Sequence, residues 1–395
     1  MARKSGLTAK AIEKEWWVTL TLKALFESPY AKFFIFKGGT SLSKGWKIIE
    51  RFSEDIDIAL DPMAFGKAYQ NDPSHNFVKT LKREDCAFTS NELRYALAIQ
   101  LIHLGVPKVD ISIIAEDVSE VIPDKDPQTL FVRYRSLYPS HGYIADEVKV
   151  EFSVRSLRDP FQKVLIQSIL SEAFPNPAYG EVPFEVLVTE PQKTLLEKAF
   201  LLHEKFVSSK IGKVQIERLS RHLYDLVKLM DSSYSKKVVK DIGFYTTLIE
   251  HRKNYIRLRD VDYATLNPET INFIPSREQL EIFREDYKSL QTAMIYGISP
   301  DFETVIQQLK ILTGRFRLLN EFHELGDIIM QAEANIENSK DFQKEGTLIS
   351  VPVRYHTDIY KPEGSKNKTI SYQVHFIQEQ SKFVFDFIEI IPSTT

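Results

Sequence analysis

One cysteine, Cys86, stands alone among 395 residues. It can form no internal disulfide, which points to a reducing compartment. No stretch approaches 18 uninterrupted apolar residues, so no membrane span is expected. After Met1-Ala2-Arg3-Lys4 there is no apolar run of the kind a secretory leader needs, because Glu13, Lys14 and Glu15 interrupt the segment. Neither sign of charge dominates: the formal net charge is −3, which excludes a generally basic, histone-like binder but leaves room for local basic patches. Internal repeats and low-complexity blocks are absent as well. What remains reads as a soluble cytoplasmic protein, long enough for two or three domains, with a 43% hydrophobic content that supports real cores.

Residues 8–26 carry helical spacing, with Ile12, Trp16 and Leu20 on one repeat, Val18, Leu22 and Leu25 on another, and Thr8 as N-cap. Residues 33–36 are wholly apolar and predict a buried strand. A helix is expected over 41–50, which places Gly38, Gly39 and Thr40 at a helix N-terminus, where anions are favoured. Residues 55–60, 108–113 and 148–154 alternate in the manner of half-buried strands. The segment 61–107 reads as mostly helical, with a polar loop at 70–76. Together these predict a small mixed sheet with one face covered and the other open to a cleft.

From Pro160 onward the pattern turns helical, most strongly over 192–206, 217–230, 282–296 and 302–320. Residues 331–346 lose apolar content and read as a linker. The tail offers strand-like runs at 347–355, 369–377 and 382–391, with a turn at 362–365 between the first two. The predicted organisation is α/β + α with a short β-rich tail: an α/β lobe over 1–160, a helical lobe over 161–330 that completes the cleft, and a β-rich extension over 347–395.

The chemistry concentrates in Phe36-Lys37-Gly38-Gly39-Thr40-Ser41 and Arg51-Phe52-Ser53-Glu54-Asp55-Ile56-Asp57-Ile58. A glycine pair after an apolar strand can hold phosphates on bare backbone N–H groups, with Lys37, Thr40 and Ser41 as further donors. Asp55 and Asp57, one residue apart, put both carboxylates on one strand face, the spacing that a divalent-metal clamp uses. Each feature has a plain alternative: a tight turn, a hydroxyl capping a helix, a solvated strand face. Their combination favours a phosphate cradle beside a metal clamp. A third carboxylate is wanted from a neighbouring strand. Glu151 and Asp110 hold equivalent positions in their alternating runs, and periodicity does not separate them. Arg51 and Ser53 flank the acidic strand as nucleotide contacts, against a surface ion pair with Glu54 and a turn hydroxyl.

Further along, Lys198 lies between Leu195 and Leu202 on the apolar side of its helix, where it either snorkels to solvent or points into a cleft. Asp225 follows Arg221 by four residues, so a helical ion pair competes with a role in the site. The run His251-Arg252-Lys253-Asn254-Tyr255-Ile256-Arg257-Leu258-Arg259 is basic with an interleaved aromatic. With Lys205, Lys210, Lys213, Lys236, Lys237 and Lys240 it suggests either a track for an RNA backbone or a solvated helical face.

These segments resemble the AbiEii/AbiGii toxin family, nucleotidyltransferases of the DNA polymerase β superfamily. Lys37-Gly38-Gly39-Thr40-Ser41-Leu42-Ser43-Lys44 and the stretch from Arg51 to Ile58 are similar to the family's first two motifs. Val150-Glu151-Phe152-Ser153-Val154-Arg155 resembles its third-strand segment, and Leu195-Leu196-Glu197-Lys198-Ala199-Phe200 its lysine-bearing helix. Arg221-His222-Leu223-Tyr224-Asp225-Leu226 resembles its R-x-L-Y-D-L motif. Order and spacing agree over roughly residues 8 to 325, and five weak signals in register are more specific than any one. The interval from Gly39 to Asp55 is longer than in many polymerase β relatives, and the tail from about 331 has no counterpart in the core pattern.

The resemblance implies a polymerase β-like nucleotidyltransferase lobe, a helical lobe and a cleft between them. It implies that Gly38, Gly39 and Thr40 bind triphosphate and that Asp55 and Asp57 hold metal, and it raises Glu151 above Asp110. Lys198 would reach the phosphates or neutralise developing charge; Asp225 would act as base or orient that lysine. The implied activity is nucleotide transfer from an NTP with two Mg²⁺ ions, by the toxin of a toxin–antitoxin or abortive phage infection pair. The implied partners are RNA, as tRNA at its 3′ end, and a cognate antitoxin of the transcriptional-repressor type. The competing readings are transfer to a protein or a small molecule such as an antibiotic, and a non-catalytic scaffold that binds NTP or a partner.

Overall fold

The computed structural model describes all residues except 1–7, 118–124, 140–143, 176–180, 208–217, 239–240, 320–330, 333–334, 337–342, 346–347, 360–365, 380–381 and 392–395. The chain forms two compact units, one of residues 1–239 and 243–315, the other of 240–242 and 316–395.

The larger unit is built on a seven-stranded mixed sheet. Helix α1 (Ala9–Phe26) begins at Thr8, whose hydroxyl accepts from Ala11 N at 3.2 Å and so caps one of the helix's free donors. Strand β1 (Phe34–Lys37) runs into a short helix α2 (Gly38–Lys44), and β2 (Ile56–Leu60) returns antiparallel to β1. A helical stretch, α3 (His75–Phe88) and α4 (Arg94–His103) joined by a π-turn at Thr89–Leu93, leads to β3 (Ile111–Ala115), β4 (Gln128–Tyr134) and β5 (Glu147–Ser153). Then come β6 (Phe161–Ile166), a short α5 (Ile169–Ala173) and β7 (Phe184–Thr189). The strand order is β3-β4-β5-β2-β1-β7-β6, with β2 parallel to β5 and β1 parallel to β7.

Period-two alternation explains the core. Phe34, Phe36, Ile56, Ile58, Val148, Val150, Phe152, Val186 and Val188 all turn to one face. They pack against Trp17, Val18, Leu22 and Leu25 of α1 and Leu97 and Leu101 of α4. The opposite face carries Lys37, Asp57 and Glu151 next to the buried Ile35 and Ala59. Helices α6 (Pro191–Val207), α7 (Ser220–Met230), α8 (Ser233–Val238), α9 (Ile242–His251), α10 (Leu280–Ala293) and α11 (Phe302–Arg317) follow.

Several expectations shift. Strands β6 and β7 lie beyond Pro160, where helix was predicted, and β4 was not foreseen. The helix after the glycines starts at Gly38 and ends at Lys44, because the chain then leaves to bring Arg51 inward. Residues Lys108–Asp110 form a 3₁₀ turn, and the strand starts only at Ile111.

The smaller unit holds a four-stranded antiparallel sheet of Gln343–Glu345, Leu348–Ile359, Lys366–Glu379 and Lys382–Ile391. Ala332 and Ile336 are buried with Ile349, Val351, Val353, Val374 and Phe376, so part of the expected linker belongs to this core. The turn expected at 362–365 lies outside the described residues.

Candidate active site

Strand register assembles the site. Lys37 of β1 pairs with Asp57 of β2, and Asp57 pairs with Glu151 of β5. Three charged side chains therefore stand in one row across adjacent strands, on the face that α1 and α4 do not cover. This distinguishes the two candidate acids. Asp110 sits in the turn before the edge strand, three strands from β2, beside Arg135 at 3.8 Å. Glu151 is the neighbour of Asp57.

The glycine turn closes on the same row. Gly38 has φ +79°, and any side chain there would collide with the Asp57 carboxylate. At Gly39 a side chain would meet the Arg51 guanidinium. Close approach, and at Gly38 backbone conformation as well, thus require glycine. Thr40 and Ser41 are buried and aim inward: the Thr40 hydroxyl donates to the Asp55 carbonyl and lies 2.8 Å from Ser53 Oγ, and Ser41 Oγ donates to Gly38 O at 2.8 Å. The Thr40 hydroxyl thus clasps the turn to the acidic strand, the Ser41 hydroxyl braces the turn itself, and neither lines the cavity.

Behind the row lies a buried ion cluster. Arg51 Nε and Nη2 donate to the two Asp225 oxygens at 2.7 and 2.8 Å, and Lys198 Nζ reaches Asp225 Oδ2 at 2.9 Å. Asp225 is fully buried. Burial pushes its pKa up, but Arg51 and Lys198 outweigh burial and hold the carboxyl well below the usual carboxylate range. It is a fixed anion gripping two cations, a geometry that suits an anchor for Lys198 and not a proton acceptor. Arg51 is no surface residue: the segment is zipped by Phe52 N to Met294 O at 2.7 Å and Tyr296 N to Glu50 O at 3.1 Å. Helix α7 is held at its start by Asp286 of α10, which accepts from Arg218 N and Ser220 N at 2.7 and 2.8 Å. That cap sets where Arg221 and Asp225 project.

A cavity of about 300 Å³ unites these groups. Lys37, Gly38, Gly39, Arg51, Ser53, Asp55, Asp57, Glu151 and Lys198 all line it, whereas Thr40, Ser41 and the deeper Asp225 do not. From α6 it receives Thr194, Glu197, Lys198 and Leu201, one helical face at i, i+3, i+4 and i+7. Sequence reading missed Arg155, Glu197, His222 and His251, which also line it. Arg155 is gripped by Asp126 and lies in the quoted third-strand segment. His251 donates from Nε2 to Arg155 O at 2.8 Å and stacks with Tyr69 and Tyr255; burial takes its pKa down to about 4. It is neutral at physiological pH.

The basic run at 251–259 turns largely inward. Arg252 pairs with the buried Glu204, Tyr255 is buried and donates to Gln70 O at 2.6 Å, and Arg257 donates to Pro73 O at 2.8 Å. Lys253 and Arg259 remain exposed, as does Lys205. The side chains of Lys210, Lys213, Lys236, Lys237 and Lys240 lie outside the described residues.

Whether these residues suit a divalent ion is a matter of their donor chemistry. Among the described residues no three His, Cys, Asp or Glu side chains converge as a ready metal cage. Lys149 pairs with Glu151. Yet Asp57 is raised to about 7, first by burial and then by Glu151 and Asp55, against the opposing pull of Lys37. Burial would raise Glu151 too, but Lys149 and the hydrogen bond from protonated Asp57 hold it low. Two carboxylates sharing one proton are an oxygen donor set that a hard cation takes up in the proton's place. The residues fit the ion.

No curated protein and no solved structure matches the chain. Residues 21–308 match the family described as nucleotidyl transferase AbiEii toxin, Type IV TA system, and this span includes the whole cavity. With most of its length matched, the chain belongs to the AbiEii family of nucleotidyltransferase toxins, which act in type IV toxin–antitoxin systems and so alongside an antitoxin.

Proposed function

We propose that this protein moves a nucleotide from an NTP to an RNA acceptor, tRNA at its 3′ end, in a Mg²⁺-dependent reaction. This transfer would be its toxic act, opposed by an antitoxin of the transcriptional-repressor type, in defence against phage. The observation that carries the reading is the Lys37–Asp57–Glu151 row lying against the Gly38 turn in a cavity shared with Lys198.

Asp55, Asp57 and Glu151 would hold the divalent ions, which when bound neutralise triphosphate charge and make the acceptor hydroxyl more acidic. The bare backbone at Gly38 and Gly39 would let phosphates approach closely, with Lys37 and Ser53 beside them. Lys198, oriented by Asp225, would stabilise charge as the acceptor oxygen attacks the α-phosphorus in line and pyrophosphate leaves. Leu157, Leu201, Leu248 and Ile256 form apolar walls that would exclude water. With the 251–259 run turned inward, an RNA backbone would meet Lys37 and Arg221, two cavity cations outside ion pairs among the described residues.

Incubation of the purified protein with each α-labelled NTP, Mg²⁺ and total cellular RNA tests the reading. Label on tRNA, by binding that weakens steeply with added salt, is the expected result. Nucleotide that binds but is never transferred would leave a scaffold instead, and label on protein or a small molecule would overturn the RNA acceptor.

A further inference from the structure

We propose, on the nucleotidyltransferase reading above, that His222 is a further substrate-binding residue, whose Nε2–H donates to a phosphate oxygen of the NTP beside Lys198. His222 occupies the open position of the Arg-x-Leu-Tyr-Asp-Leu run, so the sequence pattern gives it no role. Residues Arg221 and His222 of α7 both line the cavity, whereas Asp225, one turn further on, does not.

The hydrogen bonding fixes which ring nitrogen carries the proton. His222 Nδ1 lies 3.3 Å from Lys198 Nζ, and the same Nζ lies 2.9 Å from Asp225 Oδ2. Against Asp225, a carboxylate that stays ionised far below neutral pH, Lys198 is an ammonium, which donates and never accepts. Nδ1 is therefore the bare nitrogen that accepts, and a neutral imidazole with a bare Nδ1 keeps its proton on Nε2. Burial takes the His222 pKa well below its ordinary value; Lys198 and Arg221 push it the same way, against the pull of Asp225. The ring is neutral at physiological pH.

The donor so defined is unused: among the described residues Nε2 has no hydrogen-bond partner. Its surroundings select what it binds. Arg51, Lys198 and Arg221 line the same cavity; the first two share the single anion Asp225, and Arg221 is outside ion pairs among the described residues. An acceptor placed there meets three cationic side chains and one neutral donor, a setting for an anionic phosphate oxygen, since a neutral base edge would leave those charges unanswered. A neutral donor also adds a hydrogen bond without a fourth positive charge crowding the cavity when no nucleotide is bound. The RNA acceptor carries phosphates too, but the ring is tied to Lys198, the residue that serves the NTP.

Two substitutions divide the ring. His222→Asn offers Lys198 a carbonyl near the place of Nδ1 and removes the Nε2 donor, whereas His222→Gln brings an amide N–H toward the place of Nε2. Calorimetric titration of the full chain with each of the four NTPs, with Mg²⁺ and without RNA, should show affinity for the bound NTP weakened about tenfold or more in His222→Asn. His222→Gln should recover most of that loss, with thermal melts confirming that both variants are folded. Nitrogen-15 spectra of the histidine rings of the unsubstituted protein decide the matter even where a variant fails to fold. The signal that substitution of His222 removes should report a neutral ring with its proton on Nε2, and that proton should move downfield on saturation with NTP. A proton on Nδ1, an Nε2–H signal that answers to RNA and not to NTP, or folded variants that bind as the parent does would each overturn the proposal. A signal that moves with NTP while no label is ever transferred would instead strike the transfer reading and leave the contact standing; no binding of any NTP would overturn both.

Discussion

Asp57→Asn removes a carboxylate whose ionisation the folded chain opposes. The folded protein holds the Asp57 proton to about pH 7, against 3.8 for the ordinary side chain. Between those values the folded state binds more protons than the unfolded state, so stability falls as pH rises from about 4 to 7. At about 1.4 kcal/mol per pH unit the full interval amounts to about 4 kcal/mol; partial exposure of the carboxylate reduces this to about 2–4 kcal/mol. Asparagine keeps the shape, and its amide donates to Glu151 as the protonated acid does. At pH 8 the variant should therefore be the more stable protein, with Tm higher by about 3–6 °C for a unit of this size. The difference should shrink as pH is lowered and vanish near pH 4. Added Mg²⁺ should raise the Tm of the parent at pH 8, not that of the variant, while nucleotide transfer disappears. Thermal melts by circular dichroism across pH 4–8, with and without Mg²⁺, measure all of this. Parallel pH curves, or a variant that melts lower at pH 8, would refute the reasoning.

Three other substitutions separate structural from chemical roles. Asp225→Asn leaves Arg51 and Lys198 buried without their anion and should lower stability by about 3–5 kcal/mol in urea titration. Because the Asp225 carboxyl is held so low, its contribution should persist as pH falls through 4 and be lost only under strongly acid conditions. Gly38→Ala must adopt a left-handed backbone and displace Asp57; a loss of about 1–3 kcal/mol by urea titration, together with loss of Mg²⁺-dependent stabilisation, is expected. Glu151→Gln should lower transfer by about a hundredfold or more, whereas Asp110→Asn should leave it unchanged in the same labelled-NTP assay.

Much of this site was legible because a half-buried strand writes its two faces into alternate residues. The runs at 55–60 and 148–154 read correctly for that reason: Ile56, Ile58, Val150 and Phe152 are buried in the core, and Asp57 and Glu151 turn to the other face, half-buried in the cavity. Periodicity says nothing about which strand lies next to which, so Asp110 and Glu151 looked alike until the strand order separated them. Strands β6 and β7 hid because Phe161–Ile166 alternates weakly and Phe184–Thr189 runs almost directly into a helix; their β-branched and aromatic content was the available signal. The Arg51–Asp225 pair spans 174 positions, and no local pattern announces such a contact. Counting charges over 251–259 misled for a related reason. Charge shows that a side chain needs a partner, not that the partner is solvent, and Glu204 and the Pro73 carbonyl supplied it internally.

The most direct measurement is Mn²⁺ binding, followed by electron paramagnetic resonance with a non-hydrolysable NTP present. The account predicts that the protein with nucleotide binds ions, two at saturation, in a manner that weakens as pH drops below about 7 and is lost in Asp57→Asn and Glu151→Gln. Binding of equal strength in both variants, or none in the parent protein, would contradict it.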